Sequence, residues 1–504
     1  MGSTWSRRAA VRAGFNLLLP GLVLPGLVLP GLTGCGRGGD QADTDLDIPA
    51  AFRATPETAQ AAWPREEWWK GFASPELDAL VARAREQNFD IAAAVARVRQ
   101  ADAQVRLAGA ALLPALNGTS SADWQHVGSS RGRGGGVDTR SYGIGLSASY
   151  EIDFWGKNRA RREAAAASAL FSRFDQRTVA LTVVTTVANT WFTALALADR
   201  LAVARRNLAD DEQTLAVIKG RQGAGTASAL DVARQDALVA GERAVIPGFR
   251  NQLEQALIGL GILTGQPPER ITVRPGTLTA LKLPLVSPGL PSEVLIRRPD
   301  VAAAEAELTA SGYDVTAARA AFYPSISLTG PAGFQAAALN ALISPGGAIV
   351  SLASGLTAPI FDGGALRGRL EQARGRQAES LALYRKAVVQ AFTDVDNALT
   401  AWRFTSEQET LQSLAVESAR RAATIVREQM RVGTADITTV LTAESTLFNA
   451  EDALVQVRLA RFQALLNLYK ALGGGWIKSG ADGFPGLSPG IIRGGVALPG
   501  LGGR

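Results

Sequence analysis

Residues 157–219 and 376–432 contain neither glycine nor proline, the two residues that interrupt helices most readily. Unbroken helices over them would run roughly 95 and 85 Å at ~1.5 Å per residue, longer than a compact globular core requires. Glycines follow both stretches, Gly223 and Gly225 after the first and Gly433 after the second, and a further apolar-periodic segment comes next. Each long helix is therefore expected to turn and come back as a helical hairpin. Pro247-Gly248 predicts a kink or break in the first returning helix.

The two hairpins are copies of one another. "RQGAGTASALDV" (221–232) matches "MRVGTADITTVL" (430–441), placing Gly225-Thr226-Ala227 over Gly433-Thr434-Ala435, and "LGILTG" (260–265) lies over "LYKALG" (468–473) at the same offset of 208. Further upstream, "FDIAAAVARVRQADAQVRLAGAALLP" (89–114) parallels "PDVAAAEAELTASGYDVTAARAAFYP" (299–324) at an offset of 210, and "DFWG" (153–156) falls beside "FDGG" (361–364). Offsets this constant imply duplication of a unit far longer than a solenoid repeat. Each unit opens with a helix at Asn88 or Pro299, with Asp90 or Asp300 near its positive end. Arg297-Arg298-Pro299-Asp300 thus reads as a helix start. Pro114 and Pro324 mark the ends of these helices.

Between the helices the period becomes two. In "SYGIGLSASYEI" (141–152), Tyr142, Ile144, Leu146, Ala148, Tyr150 and Ile152 alternate with Gly143, Gly145, Ser147, Ser149 and Glu151. The same pattern predicts strands at about 325–335 and 349–360, and more weakly at about 115–127, each near the length of a membrane-crossing β-strand. The glycine-rich "GSSRGRGGG" (128–136) reads as a surface loop between the first two. No helix after residue 34 is expected to cross a bilayer. Four strands cannot stand in hydrocarbon as an open sheet, because every unpaired edge group would cost several kcal/mol. A barrel needs about eight, so a spanning sheet would have to be completed by further copies of the chain.

The chain has one cysteine among 504 residues, which excludes an internal disulfide. Arg7, Arg8 and Arg12 precede an apolar run from Phe15 to Leu32, as in a signal peptide. That run repeats "LPGLV" through Pro20, Pro25 and Pro30. Leu32-Thr33-Gly34-Cys35 resembles the lipobox of bacterial lipoproteins, in which the cysteine becomes a lipidated N-terminus; Gly36 behind it implies the outer rather than the inner membrane. Net charge is +6, three of those charges being the leader arginines, so the basic balance says little about nucleic acid, and no nucleic-acid partner is expected.

With those residues in view, the chain is similar to the outer-membrane factors of tripartite efflux systems, the TolC-like family, and within it the lipoprotein branch that serves resistance–nodulation–division pumps. "WWKGFASPELDALV" (68–81), "YEIDFWGK" (150–157), "LPSEVLIRRPDV" (290–301), "AARAAFYPSISLT" (317–329) and "LYKALGGGW" (468–476) carry the resemblance. It implies a mainly α homotrimer whose four strands per chain make a 12-stranded barrel continuous with an α-helical periplasmic barrel. Partners implied are a periplasmic adaptor, an inner-membrane pump and outer-membrane lipid. The expected divisions are a signal peptide (1–34), a lipidated linker (35–72), a first repeat (73–289), a second repeat (290–476) and a disordered Gly/Pro-rich tail (477–504).

The same resemblance implies that the hairpin tips, at about 222–228 and 432–436, meet the adaptor and close the duct. Tip candidates are Gly223, Gly225, Thr226, Ala227, Gly433, Thr434 and Ala435. Family members carry a carboxylate about two turns beyond the second tip; Thr442 stands there in this chain, with Asp436 and Glu444 the nearest acids. Asp231 and Asp436 read equally as helix caps or as gate residues. Nothing points to catalysis or a cofactor. The single histidine, His126, falls in the weak first strand, and no zinc, Walker A or lipase-type pattern occurs. The function expected is passive conduction of small toxic solutes. The alternatives are an exit duct for secreted polypeptides or, from another class, a periplasmic adaptor or scaffolding lipoprotein, which would show one hairpin and no membrane strands.

Overall fold

The computed structural model describes residues 48–49, 51–53, 62–128, 136–271, 276–284 and 291–478. The leader, Cys35, most of the 35–72 linker, the loop 129–135 and the tail from residue 479 lie outside the described residues.

Helices α1 (Pro75–Gln87) and α2 (Phe89–Ala110) lead into strands β1 (Ala115–Val127) and β2 (Val137–Ile152), followed by the hairpin α3 (Lys157–Gly223) and α4 (Ala229–Leu263). The series then repeats as α5 (Pro291–Leu295), α6 (Pro299–Ala320), β3 (Ser325–Ala336), β4 (Ala348–Val350), β5 (Ala353–Thr357), α7 (Ala365–Arg431) and α8 (Ile437–Ala471). The long helices α3 and α7 both have 67 residues, and the returning α4 and α8 both have 35. Every end of these four helices keeps the 208-residue offset read from the sequence.

Carboxylates start both long helices from a distance. Asp153 accepts from the backbone N–H groups of Asn158 (2.8 Å) and Arg159 (2.9 Å), and Asp362 accepts from those of Gly364 (2.9 Å) and Leu366 (2.7 Å). Each satisfies donors that a helix N-terminus leaves unpaired. The return helix α4 runs unbroken through Pro247, so the expected break does not occur. Tertiary packing outweighs proline here: Ile246 and Phe249 beside it are buried against Leu201 and Ala204 of α3.

One stretch of α3 is long and apolar enough by composition to cross a membrane, contrary to the sequence expectation, but 56% of it is buried inside the fold. It is a core helix. Val183, Val187, Trp191 and Phe192 pack with Phe72, Leu77 and Val81 at the N-terminal side and with Phe462, Leu465 and Tyr469 of α8. Phe72 is the hub of that cluster, with ring centroids 5.0 Å from Phe192 and 6.1 Å from Phe462.

The duplication also appears as a repeated joint. Asn88 caps α2 through its own Oδ1 and donates from Nδ2 to the Leu263 carbonyl at the end of α4 (2.9 Å). At the equivalent place in the second half, Arg298 precedes α6 and donates to the Ala471 carbonyl at the end of α8 (3.3 Å). Beside each joint a glycine with positive φ, Gly265 (+68°) or Gly473 (+79°), lets two backbones meet where a Cβ would strike the carbonyl oxygen of Gln87 or Arg297.

The strands form one antiparallel sheet in which β2 of the first half pairs with β3 of the second, β1 flanks β2, and β4 and β5 both pair with β3. β1 spans the residues expected, whereas β2 begins earlier, at Val137. The strand expected at about 349–360 is two short segments separated by Ser351 and Leu352. The break faces Pro331 of β3, which has no N–H to give; Pro331 only accepts, from the Ser351 N–H (3.0 Å). β5 then ends at Thr357, short of Pro359.

Candidate functional site

No residue of the five strands is buried, although the sheet is amphipathic across its width. Register decides which side chains share a face. Leu116 pairs with Ala148, Gly118 with Leu146 and Ser120 with Ile144, while Ile144 pairs on its other side with Phe334 and Tyr150 with Leu328. Leu356 faces Ile326, and Val350 faces Ala332. One continuous face therefore carries Leu116, Trp124, Ile144, Leu146, Phe334 and Leu356, with Leu116, Trp124 and Leu356 between 65% and 71% exposed; toward the β1–β2 turn the same face carries Arg140 and the His126–Asp138 pair (2.7 Å). The opposite face carries Asn117, Thr119, Ser121, Ser147, Ser149, Ser327, Thr329 and Gln335. Its charges are few: Asp123 and Glu151, the latter paired with Lys157 at 2.6 Å.

A folded soluble sheet buries its apolar face. This one leaves it open, and among the described residues its two outer edges, β1 and β4/β5, have no neighbouring strand. At the strand bases Trp155 stacks on Tyr323 (centroids 4.7 Å apart) and donates from Nε1 to the Pro324 carbonyl (2.8 Å). That contact joins the first half to the second where strands become helices.

The hairpin turns sit at the far ends of the long helices. Gly225 and Gly433 adopt positive φ (+76° and +84°), which a turn of this tightness needs and glycine allows. Thr226 closes the first turn by donating its N–H and hydroxyl to the Arg221 carbonyl (2.9 and 3.1 Å), and Thr434 does the same to Gln429 (2.9 and 3.1 Å). Gly223 is the last residue of α3. Ala227 and Ala435 turn inward onto a small apolar cluster of Ile218, Met430, Ile437 and Val440.

Arginines bind the two tips together. Arg221 donates to the carbonyls of Met430 and Arg431, and Arg234 donates to the Thr438 hydroxyl (2.9 Å). These links cross between distant parts of the chain, and the local pattern around either arginine carries no sign of them.

The candidate aperture acids separate into different roles. Asp231 accepts from the N–H (2.9 Å) and hydroxyl (2.8 Å) of Ser228 in a capping box, and the backbone bond holds its carboxyl below the usual range. Asp436 caps α8 by accepting from the Thr439 N–H (2.8 Å), with the same effect on its carboxyl. Thr442 is exposed and donates to the Thr438 carbonyl (2.8 Å). Glu444 is only 3% exposed, so in this conformation it faces the interior of its own protomer and not an opening. It accepts from Arg427 Nε (3.0 Å) and the Thr214 hydroxyl (3.3 Å). Among the described residues no group of three His, Cys, Asp or Glu side chains is placed to hold a metal ion.

Residues 80–266 and 290–474 match the family described as outer membrane efflux protein. The chain belongs to that family. The two matched segments fall on the two halves of the duplication, and the family is one of transport channels, not enzymes. The pyoverdine export outer membrane protein OpmQ of Pseudomonas aeruginosa is 40% identical over 448 residues, 88% of this chain and 94% of that protein. The cation efflux system protein CusC of Escherichia coli K12 is 29% identical over 449 residues, 88% of this chain and 97% of the other.

Among solved structures, the outer-membrane channel OprN superposes with a TM-score of 0.81 at 28% identity, covering 87% of this chain and 99% of that one. The open state of the Neisseria gonorrhoeae channel MtrE gives 0.79 at 30% identity, covering 86% and 97%. As an outer membrane efflux protein the chain is the outer-membrane component of an efflux system. The two hairpins and the amphipathic sheet match this reading and not an adaptor with one hairpin.

Proposed function

We propose that three copies of this chain close a 12-stranded barrel, four strand positions from each, with the long hairpins continuing as a helical duct into the periplasm. The uncovered apolar face carries the proposal. Lipid is the one surrounding that favours Leu116, Ile144, Leu146 and Leu356 outward while water fills the side of Ser147, Ser149 and Thr329. The unpaired edges would then meet their counterparts on sister chains, removing the cost of open backbone groups in hydrocarbon. Trp155 and Tyr323 would lie at the headgroup level, where amphipathic rings concentrate.

Small solutes would pass along the polar interior without energy input from this protein. A periplasmic adaptor would engage the exposed tips at Gly223–Thr226 and Gly433–Thr434, and an inner-membrane resistance–nodulation–division pump would supply the work. Cys35 would carry lipid as a second attachment to the outer membrane. The 40% identical relative is named for pyoverdine export, which supports solute export over polypeptide exit.

Purification is the test. The account expects a detergent-dependent species of three chains that conducts ions in planar bilayers; a water-soluble monomer would overturn it.

A further inference from the structure

Near the tips, each of three helices breaks its own buried stripe with two polar residues. On α3 the stripe Ala204, Asn207, Asp211, Leu215, Ile218 is buried; on α4 it is Gln235, Val239, Glu242, Ile246; on α8 it is Val440, Glu444, Leu447, Glu451. These are positions that apolar side chains ordinarily occupy. Asp211, Glu242 and Glu444 are 1%, 6% and 3% exposed; Gln235 of α4 reaches Asp211 Oδ1 (3.5 Å) and Thr214, one turn along α3 from Asp211, reaches Glu444 (3.3 Å), so the junction of the three helices is lined by acids. Burial and mutual repulsion both disfavour the ionised form of acids placed together in this way, so such a junction favours bound protons.

The surroundings agree. Glu242 Oε2, Glu444 Oε2 and Gln235 Oε1 are buried and meet no N–H or O–H donor. Arg427 of α7 is the cation of the cluster, bonded to Glu444 (3.0 Å) and to Asp210 of α3 (3.3 Å). Thr214 of α3 and Gln235 of α4 complete the polar lining; Gln235 donates to the Asp211 carbonyl (3.2 Å). Outside it, Arg243 of α4 pairs with Glu212 of α3 on the exposed side (2.6 Å). Arg427 thus pairs directly with two of the acids, Glu444 and Asp210, and with neither Asp211 nor Glu242.

We propose that Asp211, Glu242 and Glu444 form a proton-operated latch that clasps the first hairpin to α8 while it holds protons and loosens as they leave. The latch rests on the duct reading only for its consequence, a tip region that relaxes in alkaline surroundings and tightens in acid.

Burial pushes Asp211 up to about 6 and Glu444 up to about 8, the neighbouring Asp211 carboxyl adding to the rise on Glu444 and Arg427 opposing it; burial also raises Glu242. Folded protein therefore binds more protons than unfolded chain across this interval. The clasp is complete below the ordinary carboxyl range, weakens as pH rises, and is lost above about 8.

Hydrogen exchange of the full-length protein in detergent micelles, corrected for the intrinsic effect of pH, tests the latch. Peptides from 205–218, 236–246 and 440–450 report on it, and a peptide around Trp191 serves as reference. Between about pH 5 and about pH 9 the wild type should lose ~10-fold or more of its protection in the three latch peptides relative to the reference. Glu444→Gln, which keeps a neutral hydrogen-bonding side chain, should flatten that dependence; Asp211→Asn is the second such variant. Unchanged wild-type protection, or both variants following the wild type, overturns the latch. Conductance of the same preparations reports on the duct separately: latch behaviour without any conductance would uphold this inference and remove the duct.

Discussion

Arg298 holds the second half's joint closed, and replacing it should cost more than its place before a helix suggests. Its side chain is 8% exposed. It forks onto Asp300 from Nε (3.0 Å) and Nη2 (2.6 Å), reaches Asp394 of α7 from Nη2 (2.9 Å), and donates from Nη1 to the Ala471 carbonyl of α8 (3.3 Å). One guanidinium thereby ties α6 to both helices of the second hairpin. Breaking a buried pair costs ~3–5 kcal/mol. Both aspartates are about a third exposed (36% and 34%) and would regain water, so Arg298→Met should fall near the lower end, about 3 kcal/mol. Arg298→Lys keeps the charge but loses the planar fork, for about 1–2 kcal/mol. Local opening energies from hydrogen exchange in the first turn of α6 and the last turn of α8 measure both. A lysine variant as protected as the wild type, or a methionine variant costing under ~1 kcal/mol, would refute the argument that fork geometry carries the joint.

Gly473→Ala should lower thermal stability by ~2 kcal/mol or more, since positive φ strain adds to a Cβ placed against the Arg297 carbonyl oxygen, whereas Gly225→Ala has only the strain and should cost ~1 kcal/mol. Asp436→Ala should speed exchange in the first turn of α8. In the wild type that turn should fray only as pH falls through the lowered value of Asp436, because the cap's contribution is present above the ordinary carboxyl range and lost on protonation. Cys35→Ser should abolish incorporation of labelled palmitate, and undiminished incorporation would refute the lipobox assignment.

Much of this fold was legible because duplication writes itself at fixed offsets. The glycine turns at Gly225 and Gly433, the caps at Asn88 and Asp436 and the strand at Ala115–Val127 all come from residues adjacent in sequence. What escaped depends on distant neighbours. The gap between β4 and β5 is set by Pro331 on another strand, and continuity of α4 through Pro247 is set by packing against α3. In the sequence Glu444 reads only as an acid near the tip. Its burial follows from sharing a stripe with Val440, Leu447 and Leu454, a pattern its charge obscures because glutamates on helices ordinarily face water. Asp211 and Glu242 bear the same mark, polar residues at apolar-stripe positions. The partners of Arg298, Asp394 and Ala471, leave no local trace.

The central claim is that β2 and β3 have lipid on one side and water on the other, and alternate cysteine labelling tests it most directly. In a Cys35→Ser background, Leu146→Cys, Ser147→Cys, Ser327→Cys and Leu328→Cys each place a single thiol on a known face. In reconstituted membranes the serine positions should react with a water-soluble maleimide, while the leucine positions should resist it and react instead with a lipid-phase probe. Equal reaction of all four with the water-soluble reagent would contradict the account.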